Sequence, residues 1–453
     1  MQPFRYHVFV CDQQKPEGVP CCAARGARKV LDALRAEVAA QGLAGQVQVT
    51  PCGSLGLCER GPNLVVYPEG AWYSGVTAED VPELVRSHFA NGQPVERLAN
   101  HDAAAVRAEI ETNKNKMLAG LKAKDAAGAL PDELAQTIRG FQDSRTILTA
   151  IELDAFTAVD DGASAAEAAA KMGTDARATE MLLDALAALG LLAKREGRFY
   201  NTPVSARHLV AGAPDDARAA AMHTVNLWHT WSTLTDCVRA GTCVARREPR
   251  AGDDRWTEPF IAAMHRNARE RAPHVLRAVG TDGVRRMLDV GGGSAAYSIA
   301  FAQANPGLEV VVLDRPEVLA IARRHIESAG VAGRVTTRVG DLRTDRFGEG
   351  FDLVLVSAIC HMLGEDENRD LLRRCREALA PGGRLVIQEF ILEEDKTAPK
   401  MAALFSLNML VGTERGASYS AREYARWLSE AGFGEVSHVR LPGPSGLMLG
   451  RAA

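Results

Sequence analysis

The sequence has no long apolar run and no excess of charge of one sign. No uninterrupted apolar run reaches the roughly 18 residues that suggest a membrane span. With 53 Lys and Arg against 57 Asp and Glu, the formal net charge of −4 gives no electrostatic argument for binding nucleic acid or an anionic membrane. The N-terminus passes from Arg5 into a strand-like run rather than a signal peptide, so we expect a cytoplasmic protein with neither kind of partner.

The chain also lacks the paired CxxC motifs that zinc sites favour, although it has nine cysteines. An odd number of cysteines in a chain with cytosolic features argues against a disulfide framework. Five of the nine lie near the N-terminus: Cys11, Cys21, Cys22, Cys52 and Cys58. This uneven distribution directs attention to a metal or cluster site in the first part of the chain.

The hydrophobic pattern divides the chain into four regions. In the first, residues 4–10 and 64–67 are typical of strands and residues 27–40 of a helix. The second is rich in Ala, Lys and Glu and ends at a break near Gly128. The third shows three helices and then a small β-hairpin, which is a winged-helix pattern, followed by further helices. The predicted domains are residues 1–98, 99–130, 131–284 and 285–453.

The last region alternates strands and helices. Strands are predicted at residues 286–290, 309–313, 334–339, 351–356 and 384–389. This order indicates an α/β fold with a parallel, doubly wound sheet. A glycine-rich turn at residues 291–293 follows the first of these strands, and Asp314 ends the second. Such a turn lets a ligand approach the backbone closely, and such an acid can accept hydrogen bonds from ribose hydroxyls, as also happens in dinucleotide enzymes.

Two further motifs narrow the choice. Val339-Gly340-Asp341-Leu342 ends the third strand with an acid, and the turn at residues 379–387 leads into the fifth. In order and spacing, the series resembles the class I S-adenosylmethionine-dependent methyltransferases, which implies a Rossmann-like domain. The resemblance implies a set of donor-binding residues: Asp289, Gly291, Gly293, Asp314, Asp341, Leu342 and Ser357. Ala295 stands where the family often has glycine, and we expect donor binding to tolerate the extra methyl group.

The preceding region resembles the small-molecule O-methyltransferases. Residues 144–156 are similar to the opening helix of that family, and residues 177–192 to its winged-helix segment, which implies a homodimer. A winged helix can instead bind DNA, but this segment is rich in Ala and acids rather than in bases. Residues 260–272, with Met264 and His265, are similar to the helix that lines the acceptor pocket. Trp228 and Trp231 either reach that pocket or serve as core or dimer contacts.

His361 is the candidate general base. It follows the fourth strand, at the edge of the sheet where ligands bind, and methyl transfer to a hydroxyl needs a group that takes its proton. The segment matches the catalytic histidine of the family. Plant-type members have an acid directly after this histidine, where this chain has Met362, and two acids that flank it.

Of the two flanking acids, one matches Glu389. The other position falls on Ser418, beside Tyr419, with Glu414 as a nearby substitute. A base with fewer orienting carboxylates fits a phenol or a thiol better than an aliphatic alcohol, which is harder to deprotonate.

Across residues 1–98 the chain resembles the thioredoxin-like [2Fe-2S] ferredoxins. The similarity covers the cysteine segments and the run from Val65 to Val76. It implies a [2Fe-2S] cluster and a redox partner, with four ligands: Cys11, Cys22, Cys52 and Cys58. Cys22 is preferred to Cys21 because it directly precedes Ala-Ala-Arg-Gly, and Ser54 is an alternative to Cys52. Zinc, or a domain that has lost its cluster, are the competing interpretations.

The sequence therefore predicts methyl transfer from S-adenosylmethionine to a small-molecule acceptor, most readily a phenolic hydroxyl with His361 as base, in a chain with a fused iron–sulfur domain. Two alternatives stay open. One is an S-methyltransferase for a small thiol or sulfide. The other is a non-enzymatic redox-responsive or electron-carrying module.

Overall fold

The computed structural model describes residues 3–15, 19–126, 130–245 and 254–452, so the predicted break at Gly128 lies outside the described residues. The chain forms two compact units, Met1–Gly140 and Phe141–Ala453. The first contains seven elements: β1 (Tyr6–Cys11), α1 (Ala27–Ala40), β2 (Val47–Cys52), β3 (Asn63–Tyr67), β4 (Ala71–Ser74), α2 (Val81–Leu84, continued by a π-helical turn at Val85–Ala90) and α3 (Ala103–Ala126). Helix α4 (Asp132–Glu152) begins in this unit and ends in the second.

The first unit is built on a four-stranded sheet in the order β2-β1-β3-β4. β1 runs parallel to β2 and antiparallel to β3, and β4 is antiparallel to β3. The predicted strands near residues 4–10 and 64–67 are confirmed. So is the helix at residues 27–40, whose apolar side chains Val30, Leu31, Leu34 and Val38 are buried. β2 and β4 were not predicted.

The second unit opens with a helical part and a hairpin. Its elements are α5 (Ala155–Val159), α6 (Ala165–Met172), α7 (Ala176–Ala188), β5 (Leu192–Arg195), β6 (Arg198–Asn201), α8 (Pro203–His208), α9 (Arg218–Trp231), α10 (Leu234–Ala240) and α11 (Asp254–Val279). Asp175 caps α7 by accepting a hydrogen bond from the main-chain N–H of Ala178 at 2.8 Å. The predicted succession of helices and hairpin is confirmed.

The rest of the second unit is a sheet flanked by helices. Its elements are β7 (Arg286–Val290), α12 (Ala296–Ala304), β8 (Glu309–Asp314), α13 (Pro316–Ser328), β9 (Val335–Val339), β10 (Phe351–Ser357), α14 (Glu365–Ala378), β11 (Leu379–Glu389), α15 (Lys400–Gly412), α16 (Ala421–Glu430), β12 (Phe433–Arg440) and β13 (Gly446–Ala452). The strand order is β12-β13-β11-β10-β7-β8-β9. All five predicted strands are present, and the Rossmann-like α/β fold is confirmed.

The five predicted strands are parallel as expected, and two further strands extend the sheet at one edge. β13 was not predicted, and it lies between β11 and β12, antiparallel to both. β12 was missed because it is an edge strand, largely exposed, without the apolar run of a buried parallel strand. β7, β8, β10 and β11 run parallel to one another, so their carboxyl ends meet at one edge of the sheet.

Candidate active site

The glycine turn after β7 is held against its neighbours by the backbone. The N–H of Gly291 donates to the carbonyl of Leu313 at 2.8 Å, and its φ of +66° is a conformation that favours glycine. A Cβ at Gly291 would collide with Ile359 Cδ1. Gly293 also has a positive φ, +56°, but a Cβ there would meet no atom within 4 Å. Gly291 is therefore required for packing, whereas Gly293 borders open space.

Asp289 lies beneath this turn. Its side chain is 1% exposed, and Oδ2 accepts a hydrogen bond from Ser298 Oγ at 2.6 Å. Oδ1 is buried and has no hydrogen-bond partner among the described residues. Burial raises the pKa of Asp289 to about 7, against the lowering effect of the Ser298 hydrogen bond. A buried oxygen without a partner fits a site that takes a polar ligand.

The two other predicted donor-site acids have different surroundings. Asp314, at the end of β8, accepts hydrogen bonds from the N–H of Gly293 at 2.9 Å and from that of Arg315 at 2.8 Å. Burial nevertheless raises the pKa of Asp314. Asp341, just after β9, is exposed and closes a turn by accepting a hydrogen bond from the N–H of Arg343 at 2.8 Å. The half-buried Leu342 packs next to it against the core.

Ser357 belongs to a small hydrogen-bond network that the sequence did not reveal. Its Oγ donates to Gln388 Oε1 at 2.7 Å, and the hydroxyl of Tyr297 donates to the same oxygen at 3.2 Å. The network forms because Ser357 and Gln388 are register partners on β10 and β11. The one signal that could have revealed it was a glutamine at the end of an otherwise apolar strand.

His361 and Glu389 are brought together in the interior. His361 Nδ1 lies 2.8 Å from Glu389 Oε2 and 3.0 Å from Oε1, and the His361 N–H donates to Oε1 at 3.2 Å. Their side chains are only 9% and 1% exposed. A carboxylate at this position holds the proton on Nδ1, so that Nε2 keeps its lone pair. This arrangement can take a proton from an acidic group placed at Nε2.

The rings of Phe405 and Phe390 pack beside His361 and form an aromatic wall. The ring of Phe405, on α15, meets the imidazole edge to face, with centroids 4.8 Å apart. Phe390, which directly follows Glu389, packs on Phe405 at 4.4 Å. The guanidinium of Arg271, on α11, lies over the Phe390 ring at 5.3 Å. None of these three residues was singled out from the sequence, although Arg271 lies within residues 260–272, the segment similar to the helix that lines the acceptor pocket.

The segment that aligns with the second flanking acid of the family makes contacts within the fold at Ser418 and Tyr419. Ser418 Oγ donates to the carbonyl of Ala402 at 3.0 Å. The hydroxyl of Tyr419 donates to the carbonyl of Leu363 at 2.5 Å. Glu414 is exposed, whereas His361 is buried. Glu389 is thus the carboxylate that contacts His361 in the described structure.

The helices ahead of the sheet approach the site in different ways. His265 Nδ1 lies 2.9 Å from Ser294 Oγ in the glycine turn, and burial is the main cause that lowers the pKa of His265 to about 4. Trp231 donates its indole N–H to Asn408 Oδ1 on α15 at 2.8 Å. Trp228 packs under the guanidinium of Arg145. Both tryptophans therefore make contacts between helices.

The four predicted cluster ligands lie at one end of the first unit's sheet. Cys11 and Cys52 are register partners at the ends of β1 and β2, and they pack with the buried Cys22 in one apolar cluster. The Cys22 contact lowers the pKa of Cys11 to about 6. Cys58 instead lies 3.1 Å from Lys15 Nζ and 3.2 Å from Ser54 Oγ.

The cysteine geometry does not form a metal centre. Among the residues that the structure describes, no group of three or more His, Cys, Asp or Glu side chains is placed to hold a metal ion. The side-chain positions therefore do not support the predicted [2Fe-2S] cluster. Within the described residues, no helix combines the length and the apolar character that crossing a membrane requires.

Comparison with known families identifies two regions of the chain. Residues 231–434 match the model of the O-methyltransferase domain, and residues 135–211 match that of the O-methyltransferase dimerisation domain. A 3-hydroxy-5-methyl-1-naphthoate 3-O-methyltransferase from Streptomyces sahachiroi is 37% identical over 334 residues, which is 71% of this chain and 95% of the relative.

Solved structures give the same result for the fold. PigF with S-adenosylhomocysteine superposes with a TM-score of 0.65 and 28% identity, over 71% of this chain and 100% of that one. Human N-acetylserotonin methyltransferase in complex with S-adenosylmethionine superposes with a TM-score of 0.61 and 25% identity, over 71% of this chain and 96% of that one.

Proposed function

The chain belongs to the S-adenosylmethionine-dependent O-methyltransferases that carry a dimerisation domain, and on that premise we propose that it methylates a phenolic hydroxyl of a small aromatic acceptor, with His361 as the general base. The contact between His361 Nδ1 and Glu389, at 2.8 Å, carries the proposal. Glu389 fixes the imidazole and stabilises the positive charge that forms on it when Nε2 takes the phenol proton. The donor supplies an activated methyl group, so the reaction needs no metal to activate the donor.

The donor would lie over the glycine turn. Gly293 leaves open space for it, and Asp314 at the end of β8 is suited to accept the ribose hydroxyls. Oδ1 of Asp289, which has no partner among the described residues, is placed to accept a hydrogen bond from an N–H group of the methyl donor. Asp341 and Leu342, after β9, are proposed for the adenine end, and Ser357 for the side nearest the acceptor. These roles follow from their positions along one edge of the sheet.

A phenolic acceptor is supported by the chemistry of the site. Aromatic rings of Phe390 and Phe405 stand beside His361 and offer a flat apolar surface. One orienting carboxylate suffices more readily for a phenol, with a pKa near 10, than for an aliphatic alcohol. The Streptomyces sahachiroi relative, as its name states, methylates a hydroxyl of a naphthoate.

The test is an acceptor panel with labelled donor, run on the native protein and on His361→Ala. We expect methylated phenols from the native protein and a roughly 10²- to 10⁴-fold lower kcat from the variant, because general-base catalysis contributes about that much. The variant should recover rate as the pH approaches the phenol's own pKa, while its affinity for S-adenosylhomocysteine stays unchanged. Equal rates for both proteins would overturn the role of His361.

The same panel addresses the S-methyl alternative. A small thiol ionises near pH 8.5 and needs less help from a base, and the position of the second orienting acid is held here by Ser418. Faster turnover of aryl thiols than of matched phenols, with little effect of His361→Ala on the thiols, would favour S-methylation. The phenol proposal expects the opposite order.

We further propose a homodimer that uses the dimerisation-domain segment. Helix α4 exposes a row of large apolar side chains, Leu134, Ile138 and Phe141, each 47–57% exposed. Their spacing of three and four residues places them on one face of the helix. Ile138→Glu should shift the sedimentation equilibrium toward monomer. Ile138→Leu is the matched control, and an unchanged dimer in the glutamate variant would exclude this face.

For the first unit we propose a [2Fe-2S] cluster bound by Cys11, Cys22, Cys52 and Cys58, with a redox partner. What supports the proposal is the strand order β2-β1-β3-β4 and the packing of Cys11, Cys22 and Cys52 at one end of that sheet, whereas Cys58 lies beside Lys15 and Ser54. Anaerobically purified protein should contain two iron and two sulfide per chain and absorb visible light. Cys22→Ser should remove both, and colourless native protein without iron would refute the proposal.

A further inference from the structure

Arg271 carries a charge for which the described chain provides no counterion. Its side chain is half-buried on α11, and within the described residues it forms no ion pair, whereas Arg266 on the same helix pairs with Glu270 at 3.8 Å. Its guanidinium instead lies over the ring of Phe390. Such a contact uses the flat face of the guanidinium and leaves its N–H donors, which lie in the guanidinium plane, for a hydrogen-bonding partner. The guanidinium is therefore available to an anion from outside the chain.

Contacts through two aromatic rings connect Arg271 with the proposed reaction site. Phe390 directly follows Glu389, and the rings of Phe390 and Phe405 lead from the guanidinium to the imidazole of His361. Two aromatic rings thus separate a fixed positive charge from the proposed base. A flat acceptor of about one or two fused rings can lie along this wall with one polar group at each end.

The positive charge of Arg271 acts on the polar groups around it. Burial raises the pKa of Tyr297, and the positive charge of Arg271 opposes that rise. The guanidinium therefore acts electrostatically on the hydroxyl that donates to Gln388, next to Ser357. The nearby carboxylate of Glu389 is already occupied by His361. No carboxylate of the described residues is thus paired with Arg271, which leaves its guanidinium accessible to an anionic ligand.

We propose that Arg271 binds a carboxylate of the acceptor, so that the enzyme selects hydroxyaryl carboxylates whose hydroxyl reaches His361 while the carboxylate pairs with the guanidinium. The planar fork of an arginine suits a carboxylate because it donates two parallel hydrogen bonds. The inference extends the proposed function, since it takes His361 as the base. The methyl donor also carries a carboxylate in its amino-acid part, and the experiment must separate the two sources.

The test measures binding and does not require turnover. Calorimetry on protein saturated with S-adenosylhomocysteine compares 2-naphthoate with 2-naphthamide, which has the same shape without the charge. Native protein should bind the naphthoate more tightly, and Arg271→Met should weaken its binding about 10- to 100-fold, because a hydrogen bond to a charged group contributes about 1.5–3 kcal/mol. The variant should leave naphthamide binding within about twofold, and Arg271→Lys should restore part of the lost affinity.

Arg277→Met is the matched control, since Arg277 is an exposed arginine on the same helix, and it should bind both probes like native protein. Equal affinity of native protein for naphthoate and naphthamide would overturn the proposal. So would a loss of S-adenosylhomocysteine affinity in Arg271→Met, because the arginine would then hold the donor's carboxylate. Because these probes lack a hydroxyl, failure of methyl transfer to hydroxynaphthoates would refute the proposed function and leave this result unaffected.

Discussion

The donor side and the acceptor side of the site lie on the same edge of one sheet, yet they are built differently. Around Gly291 the site is formed mainly by the backbone, with positive φ angles, main-chain N–H groups and strand-end acids within a short stretch of the chain. Around His361 it uses side chains from β11, α15 and α11, brought together only by folding. Under the proposed function, the backbone around Gly291 positions the donor, whereas the side chains around His361 select the acceptor and take its proton.

The largest effect is expected on the acceptor side, from Glu389→Gln. The amide keeps the size and an acceptor oxygen for His361 Nδ1 but cannot stabilise a charged imidazole. We expect kcat to fall by roughly 10²-fold or more while donor affinity, measured by calorimetry, stays the same. Glu393→Gln, which changes an exposed glutamate paired with Arg440, is the control. An unchanged kcat in Glu389→Gln would mean that His361 works without this carboxylate.

The donor side can be tested with two glycines that differ in their surroundings. Gly291→Ala places a methyl group against Ile359 at a positive φ, which should lower the free energy of unfolding by about 3 kcal/mol. Gly293→Ala meets no atom within 4 Å, so it should cost about 1 kcal/mol in stability and instead weaken donor binding. Denaturant unfolding and calorimetry measure the two effects. Equal losses of stability would contradict this division.

Asp289 gives the donor side a pH dependence of stability. Its pKa in the folded chain, about 7, is above the ordinary 3.8, so the stability that the protonated carboxyl contributes is lost as the pH rises from about 4 through about 7. Asp289→Asn should therefore remove a decline of roughly 4 kcal/mol across this interval. Urea unfolding of both proteins at several pH values measures the difference. Parallel curves for the two proteins would show that the pKa of Asp289 does not change on folding.

The same difference between the donor side and the acceptor side explains which residues could be predicted from the sequence. The glycine turn, Asp289 and Asp314 were predictable because each is set by local backbone geometry or by its place at a strand end. Glu389 was found only through resemblance, and Gln388 was missed, because β-sheet register brings its partner Ser357 from 31 residues away. Arg271 was missed for the same reason. The proposed role of Arg271 depends on its contact with Phe390, and no local sequence pattern connects Phe390 with helix α11.

The smallest effect is expected at Ala295, which begins α12 with a φ of +63° and is fully buried. Ala295→Gly relieves a left-handed strain of about 1–2 kcal/mol but loses a buried methyl group and adds backbone entropy, each near 0.8 kcal/mol. These terms nearly cancel, so the free energy of unfolding should change by less than about 1 kcal/mol, with donor affinity unaltered. Ala295→Val should be far more destabilising, because a β-branched residue tolerates this φ poorly. A large gain of donor affinity in the glycine variant would show that the alanine restrains the turn itself.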